Sequence, residues 1–279
     1  MNDLQEMTMN HKEQPGFVNS VFKAICVLEC FSPEQPVMSL GQISKQLSLP
    51  KSTVSNLIKT LEQVGYLTRG TGEQGYRLGY KILGLSYSLR SSIPVVQYAL
   101  PFLEDIQLET GEIVYLTTHI EGRSLYLEGV YPSRRMEKYS ISGKTLPMHC
   151  TGGGKAILSY LPKNEVEQII DKWGLPAITK NTITDRNTLL KHLEEIRERG
   201  FALDIEEETP GVKCIAKAIR NSDGYATGAI SISGTTMSMQ DDLLPQYAQI
   251  LDRACSTLMS SANQFPAGEK LLEKKRASN

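Results

Sequence analysis

Three consecutive glycines, Gly152-Gly153-Gly154, precede a predicted helix that begins at Lys155. The first main-chain N–H groups of a helix have no acceptors within the helix, and the helix dipole places partial positive charge there. Glycines also let a ligand approach the main chain closely. The run therefore predicts either an anion-binding site or only a tight turn before a helix.

The residues around this run lack the spacing of common catalytic motifs. A P-loop would require glycine at position 149 and Ser or Thr at position 156, where the sequence has His149 and Ala156. A cysteine-dependent hydrolase could use Cys150 as nucleophile, His149 as base and Asp204 to orient the base. Adjacent residues of an extended segment point to opposite sides, so His149 and Cys150 cannot come within the roughly 3 Å that proton transfer requires. We therefore expect no enzymatic activity.

Histidines and acidic residues offer a weaker, metal-binding alternative. His119, His149 and His192 are far apart in the sequence, and an acidic run such as residues 206–208 is typical of a solvated surface. These residues lack the paired spacing of a zinc site. The five cysteines are scattered, without a CxxC pair, at positions 26, 30, 150, 214 and 255. We expect no metal, no cofactor and no disulfide framework.

A second segment, residues 50–60, has the composition of a surface that binds nucleic acid. Its apolar residues, with Leu61, repeat at helical spacing and predict one buried side of a helix. The outward residues are hydroxyls, an amide and lysines, with no carboxylate before Glu62; they are Lys51, Ser52, Thr53, Ser55, Asn56, Lys59 and Thr60. Such a face suits phosphates and base edges, and Asn56 could bind an adenine edge.

The elements around this segment predict three helices and a hairpin. The first helix begins near residue 18 and ends near residue 32, and its spacing predicts a buried face of Val18, Val21, Phe22, Ile25, Leu28 and Phe31. Ser39 and Gln42 form the capping-box signature of the second helix, and Gly65 ends the third. Two strand-like runs around residues 70–75 carry Arg69 and Arg77, where a wing would meet DNA. This is the pattern of a winged helix-turn-helix, with a protein-binding domain as the alternative.

The rest of the chain predicts an α+β domain. Helical patterns lie at residues 80–90, 94–109, 155–160, 165–173, 188–200 and 242–262. Strand patterns lie at residues 112–120, 124–130, 136–141, 212–218 and 225–233. Short turns join most of the strands, so we expect a largely antiparallel sheet.

The composition of the whole chain is that of a globular protein. Its 279 residues are 40% hydrophobic and 22% charged, and no run of about 18 uncharged apolar residues could span a membrane. The polar N-terminus lacks the apolar core of a signal peptide, so we expect a cytoplasmic protein without a membrane partner. Eight Lys and Arg stand against four Asp and Glu between residues 17 and 92, although the net charge is −1. This asymmetry favours a polyanion-binding N-terminal part.

Several motifs resemble those of the IclR family of bacterial transcriptional regulators. The first is the winged-helix segment at residues 39–78. Behind it come GKTLPMHCTGGGKAIL at residues 143–158, RGFALDIEEE at residues 199–208 and GVKCIA at residues 211–216. The resemblance covers residues 17–262. One departure is Asn56, where many members carry Arg. The operator sequence of another member therefore cannot be assumed for this chain.

The resemblance implies an α+β fold with an N-terminal winged helix-turn-helix, a linker helix and a C-terminal GAF-like effector-binding domain. The domains expected from the sequence and the resemblance together are a flexible tail (1–16), a DNA-binding domain (17–79), a linker helix (80–92), an effector-binding and oligomerisation domain (93–263) and a second flexible tail (264–279). The expected DNA-binding residues are Lys51, Ser52, Thr53, Ser55, Asn56, Lys59, Arg69 and Arg77. The family's pocket positions carry over onto Leu146, Gly152, Gly153, Asp204, Val212, Cys214, Ser231 and Ser233.

The resemblance also sets the expected function. We expect a repressor that binds double-stranded DNA at a pseudo-palindromic operator as a homodimer or a dimer of dimers. A small carboxylate in the C-terminal domain would change its operator affinity. The alternative is an interaction module whose C-terminal domain only oligomerises and binds no ligand.

Overall fold

The computed structural model describes residues 16–70, 75–133 and 141–262. The chain divides into two compact units, residues 1–92 and 93–279. The elements of the first unit are α1 (Asn19–Glu29), α2 (Leu40–Leu47), α3 (Lys51–Gln63), β1 (Leu67–Arg69), β2 (Tyr76–Leu78) and α4 (Lys81–Ser91). The two strands form an antiparallel hairpin. Three helices and this hairpin make the winged helix-turn-helix that the sequence predicts.

The turn between α2 and α3 follows from its residues. Ser39 caps α2 through the predicted capping box: its side chain accepts from the Gln42 amide, and Gln42 Oε1 accepts from the Ser39 amide at 2.8 Å. Ser48 ends α2 in the left-handed conformation, at φ 53°. Pro50 then lies at the N-cap of α3.

The buried face of α1 differs from the sequence prediction. Val18, Val21 and Ile25 are 57%, 56% and 47% exposed, whereas Cys26 and Val27 are buried in the core with residues of α2 and α3. The helix carries apolar residues on more than one side, and periodicity cannot tell which side faces the core. The prediction was therefore wrong for these three residues, which form an exposed apolar stripe.

The second unit is a six-stranded sheet between two layers of helices. Its helices are α5 (Pro94–Thr110), α6 (Gly152–Leu158), α7 (Lys163–Trp173), α8 (Arg186–Arg199) and α9 (Leu244–Ala262). Its strands are β3 (Ile113–Ile120), β4 (Arg123–Val130), β5 (Thr145–Pro147), β6 (Ala202–Ile205), β7 (Val212–Arg220) and β8 (Ala226–Thr235). The strand order is β5-β4-β3-β8-β7-β6, with every neighbouring pair antiparallel. The α+β class and the largely antiparallel sheet are confirmed.

Strand alternation separates two cores in this unit. Side chains such as Ile215 and Ile230 pack with α5 and α9 on one face. Their neighbours Ala216 and Ala229 pack with α6, α7 and α8 on the other.

Three elements of this unit differ from the sequence prediction. Two short edge strands, β5 and β6, were not predicted because runs of three and four residues carry little periodicity. The glycine run is not a loop before a helix, because α6 already begins at Gly152. The predicted strand at residues 136–141 lies almost entirely outside the described residues.

Candidate DNA interface and effector site

The outer side of α3 carries the residues predicted to contact DNA. Lys51, Ser52, Asn56 and Lys59 are exposed, and Thr53 and Ser55 are partly buried. The opposite side, with Val54, Ile58 and Leu61, is buried. The first two turns of α3 therefore present lysine, hydroxyl and amide groups to solvent, the groups that bind phosphates and base edges.

The hairpin separates the two arginines predicted for the wing. Arg69 is paired with Tyr76 and Arg77 with Thr68, so the two arginines lie on opposite faces of the hairpin. Arg69 Nε lies 3.3 Å from Glu62 Oε1 on α3, and its guanidinium lies 5.4 Å from the centre of the Tyr76 ring. Sequence reasoning missed this ion pair, which ties the wing to the end of α3.

A buried polar row crosses three strands of the second unit. Asp204 on β6 is paired with Cys214 on β7, which is paired with Ser233 on β8. Ser231 lies two residues from Ser233, on the same face. All four residues are buried, and they lie on the sheet face that packs with α6. The structure thus brings together four of the pocket residues that the resemblance implies.

The remaining predicted side chains lie on β7, beside the row, and on β5, at the opposite edge of the sheet. Val212 precedes Cys214 by two residues and is half-buried. Leu146 on β5 is half-buried and paired with Ser124, whose hydroxyl lies 3.2 Å from Thr151 Oγ1 at the start of α6. The Thr151 hydroxyl also accepts a hydrogen bond from the Gly154 amide at 3.1 Å and so caps α6.

Gly152 and Gly153 allow α6 to lie directly on the sheet. A Cβ atom at Gly152 would come within 2.8 Å of Cys214 Sγ, and one at Gly153 within 3.2 Å of Thr117 Oγ1. Any larger residue at position 152 would push the helix away from β7. Close packing is therefore a physical requirement for these glycines, whether or not their amides also bind an anion.

Burial changes the ionisation of the row. Loss of solvation raises the pKa of Asp204 to about 7, with a further increase from Glu207 and Glu208 and an opposing effect of the Glu207 amide and Lys155. Burial likewise raises the pKa of the Cys214 thiol to about 12. Near neutral pH the thiol is protonated, and Asp204 can hold a proton that it donates in a hydrogen bond.

Sequence reasoning missed several residues around this row. Tyr115 and Tyr126 meet edge to face, with ring centres 5.2 Å apart. Burial raises the pKa of Tyr126 well above its ordinary value, and the neighbouring Cys214, Glu208 and Asp204 add to the effect. The hydroxyl of Thr117 is buried and has no hydrogen-bond partner among the described residues. The pairing of β3 with β4 and β8 places these side chains here, and no local pattern in the sequence signals them.

The structure also bears on the enzymatic alternative. Cys150 Sγ points to the Pro147 carbonyl, and burial raises the pKa of its thiol to about 12, so the thiolate needed for attack is scarce. His149 Nε2 lies 3.1 Å from the Pro176 carbonyl. Neither residue has the environment of an activated nucleophile and its base.

The residues considered for a metal site do not converge. Three or more His, Cys, Asp or Glu side chains that could share a metal ion do not occur together within residues 16–70, 75–133 and 141–262. His119 lies near Tyr225, and His192 lies near Glu195 on α8. The same ranges contain no helix that is both long and apolar enough to cross a membrane.

A small cleft lies elsewhere in the second unit. It is lined by Arg123, His149, Trp173, Pro176 and Leu189, among others, and by none of the residues predicted for the effector. Its lining is mainly apolar and includes the polar side chains of Arg123 and His149. The buried row is the stronger candidate because it combines a perturbed carboxyl, a thiol and hydroxyls on one face.

Two family models match most of the chain. The IclR helix-turn-helix domain matches residues 20–70, and the C-terminal domain of bacterial IclR transcriptional regulators matches residues 88–260. The chain belongs to the IclR family. It is thus a DNA-binding transcription regulator, and the relatives described next are regulators rather than enzymes.

Curated relatives and solved structures agree with this assignment. The transcriptional regulator XynR of Escherichia coli K12 is 30% identical over 251 residues, covering 90% of this chain and 99% of XynR. The transcriptional repressor AllR of the same strain is 32% identical over 230 residues, covering 82% and 84% of the two chains. A double mutant of the PobR inducer-binding domain from Acinetobacter, solved with 3-hydroxybenzoic acid, is 28% identical. It superimposes with a TM-score of 0.55, covering 58% of this IclR-family chain and 96% of the domain.

Proposed function

We propose that this regulator represses transcription from a pseudo-palindromic operator, and that a small organic acid bound against the buried row changes its operator affinity. The observation that carries the proposal is the alignment of Asp204, Cys214 and Ser233 on one buried face. The repressor AllR, 32% identical, supports the sign of regulation.

The DNA-binding half of the proposal rests on α3. The exposed side of α3 would enter the major groove, where Asn56 can read a base edge and Lys51 and Lys59 can contact phosphates. Arg69 and Arg77 lie on opposite faces of the hairpin, so one wing position cannot place both on the same stretch of backbone. We assign the contact nearer to α3 to Arg69, because Glu62 of α3 holds its side chain.

Homodimerisation is part of the same proposal. The exposed stripe of Val18, Val21 and Ile25 on α1 is apolar, and α4 exposes Leu83 and Tyr87. Exposed apolar patches of this kind mark protein–protein contacts. Packing against a second copy would cover them and place two α3 helices on half-sites about 34 Å apart.

A carboxylate effector fits the ionisation of the row. With its proton, Asp204 donates a hydrogen bond to a carboxylate instead of repelling it, and Ser231 and Ser233 supply further hydroxyl donors. The PobR domain, solved with 3-hydroxybenzoic acid, shows that a related domain takes an acid of this size. The edge-to-face pair Tyr115 and Tyr126 offers an apolar wall beside the row.

The effector can act only through a difference in its affinity for two conformations. Gly152 packs directly on Cys214, so an acid that enters the row must alter the position of α6 or of β7. We propose that α4, the last element of the first unit, transmits the change to the DNA-binding helices.

The test is a mobility shift of the purified protein on its own upstream DNA, repeated with a panel of small organic acids. The panel contains aliphatic, sugar-derived and hydroxybenzoic acids. A sequence-specific shift that one acid weakens supports both halves of the proposal. A shift that no acid alters contradicts the effector half, and no shift at low salt contradicts the operator half.

A further inference from the structure

A buried ion pair lies beside the polar row, outside the residues assigned to the effector. Lys155 on α6 is fully buried, and its Nζ contacts Oε1 of Glu207, which is also buried. Two opposite charges in the interior are costly unless their geometry is well defined and their remaining polar atoms are satisfied. The pair therefore calls for an explanation beyond packing.

Glu207 is held at three points. Its amide donates to Asp204 Oδ1 at 2.8 Å, its carbonyl accepts from Thr182 Oγ1 at 2.7 Å, and its side chain accepts from Lys155. Thr179 Oγ1 donates to the neighbouring carbonyl of Glu206 at 2.6 Å. These contacts join β6, the turn after it, the segment 178–182 and α6.

The contacts connect α6 to Asp204 by two routes, one through Lys155 and Glu207 and the other through Gly152 and Cys214. Asp204 is fixed by the Glu207 amide, Glu207 by Lys155, and Lys155 belongs to the helix that begins at Gly152. Gly152 in turn lies against Cys214, the cross-strand partner of Asp204. A displacement of α6 is therefore transmitted to the Asp204 carboxyl by way of a charged side chain.

We infer that Lys155 and Glu207 are positioning residues for the effector site, which orient the Asp204 carboxyl and set the balance of charge around it. The inference rests on the proposed function in one respect: Asp204 is a binding group only if the acid binds there. Its geometry and its test on the Asp204 proton need no effector.

Titratable groups on several neighbouring elements face Asp204. Glu207 and Glu208 lie in the turn after β6, Lys155 lies on α6, and Cys214 lies on β7. Cys150 and Tyr126 also interact with the Asp204 charge. Glu207 raises the pKa of Asp204 and Lys155 lowers it. Removal of the Glu207 charge must therefore lower that pKa, and removal of the Lys155 charge must raise it. A pair too distant or too well screened to act on Asp204 would leave that pKa unchanged.

The experiment is a carbon NMR titration of the full-length protein labelled with [4-13C]aspartate, with Asp204→Asn to identify the resonance. Glu207→Gln should lower the Asp204 midpoint and Lys155→Met should raise it, each by about one pH unit. Matched controls are Glu121→Gln and Lys172→Met, which remove the same charges from a surface pair with an N–O distance of 3.7 Å. The controls should leave the midpoint unchanged.

Glu207→Gln is isosteric and can still accept from Lys155, so it is the variant expected to fold. If Lys155→Met does not fold, the Asp204 midpoint in Glu207→Gln alone tests the inference. An Asp204 midpoint that stays at the wild-type value in Glu207→Gln, or that moves upward, overturns the inference. Opposite shifts together with a failure of every acid in the panel would uphold the positioning role and reject the proposed effector site.

Discussion

Arg69 Nε and Glu62 Oε1 lie 3.3 Å apart, so an arginine of the hairpin is paired with a carboxylate near the end of α3. Arg69 remains mostly exposed and can still reach a phosphate. The carboxylate neutralises part of the charge that DNA would attract, and an exposed pair of this kind contributes at most about 1 kcal/mol to stability.

Glu62→Gln should therefore tighten DNA binding several-fold, because a negative charge leaves the DNA-facing surface. Arg69→Ala should weaken binding and reduce the slope of log affinity against log salt by about one. Fluorescence anisotropy on the upstream DNA at four salt concentrations measures both. Weaker binding by Glu62→Gln would show instead that Glu62 orients Arg69 for its contact.

Lys51 and Asn56 should differ in what their loss does to specificity. Lys51→Ala should weaken binding to all sequences alike, as expected for a phosphate contact. Asn56→Ala should cost about 1–3 kcal/mol at one base pair and relax the preference there. Competition with single-base operator variants separates the two effects, and Lys172→Ala, in the second unit, is the control. A uniform loss with Asn56→Ala would contradict its assignment to a base.

Gly152→Ala should destabilise the second unit by about 1–3 kcal/mol, because the new Cβ would lie 2.8 Å from Cys214 Sγ. Adding Cys214→Ala removes that sulfur and should recover most of the loss. Gly84→Ala, inside α4 with open space around its Cβ position, is the control and should stabilise slightly. Urea unfolding measures the stability of wild type, Gly152→Ala, the double variant and Gly84→Ala. A loss of stability that Cys214→Ala does not recover would mean that the strain lies elsewhere.

Stability should fall between about pH 4 and pH 7 because of Asp204. Burial raises its pKa from 3.8 in the unfolded chain to about 7 in the folded protein, so only the folded state holds the proton across this range. The stabilisation is complete below the unfolded pKa and lost as pH rises through the folded pKa, a change of roughly 4 kcal/mol. The free energy of unfolding of wild type and Asp204→Asn, measured at several pH values, isolates the contribution of Asp204. Parallel pH profiles for the two proteins would contradict the raised pKa.

The same proton should govern effector binding. A carboxylate that accepts from neutral Asp204 binds together with that proton, so its affinity should fall about tenfold per pH unit above pH 7. Calorimetric titration with an active acid between pH 6 and pH 9 tests this. An affinity that does not depend on pH would mean that Asp204 does not contact the effector carboxylate.

Local patterns in the sequence predicted the elements that carry function more accurately than their surroundings. The capping box at Ser39 and the apolar spacing of α3 are local, and both agree with the structure. The contact between Lys155 and Glu207 joins residues 52 positions apart and depends on the pairing of β6 with β7, so no local pattern could reveal it. The exposed stripe of α1 was assigned to the core because two apolar sides of one helix look alike in sequence.

The most direct test of the account is the operator dissociation constant of wild type and Asp204→Ala, measured with and without the acid that acts in the mobility shift. We expect the acid to weaken wild-type binding at least tenfold. We expect Asp204→Ala to bind the operator normally and not to respond to the acid, while Asp223→Ala, a control in an exposed turn, responds like wild type. A full response by Asp204→Ala would contradict the assignment of the effector to the buried row.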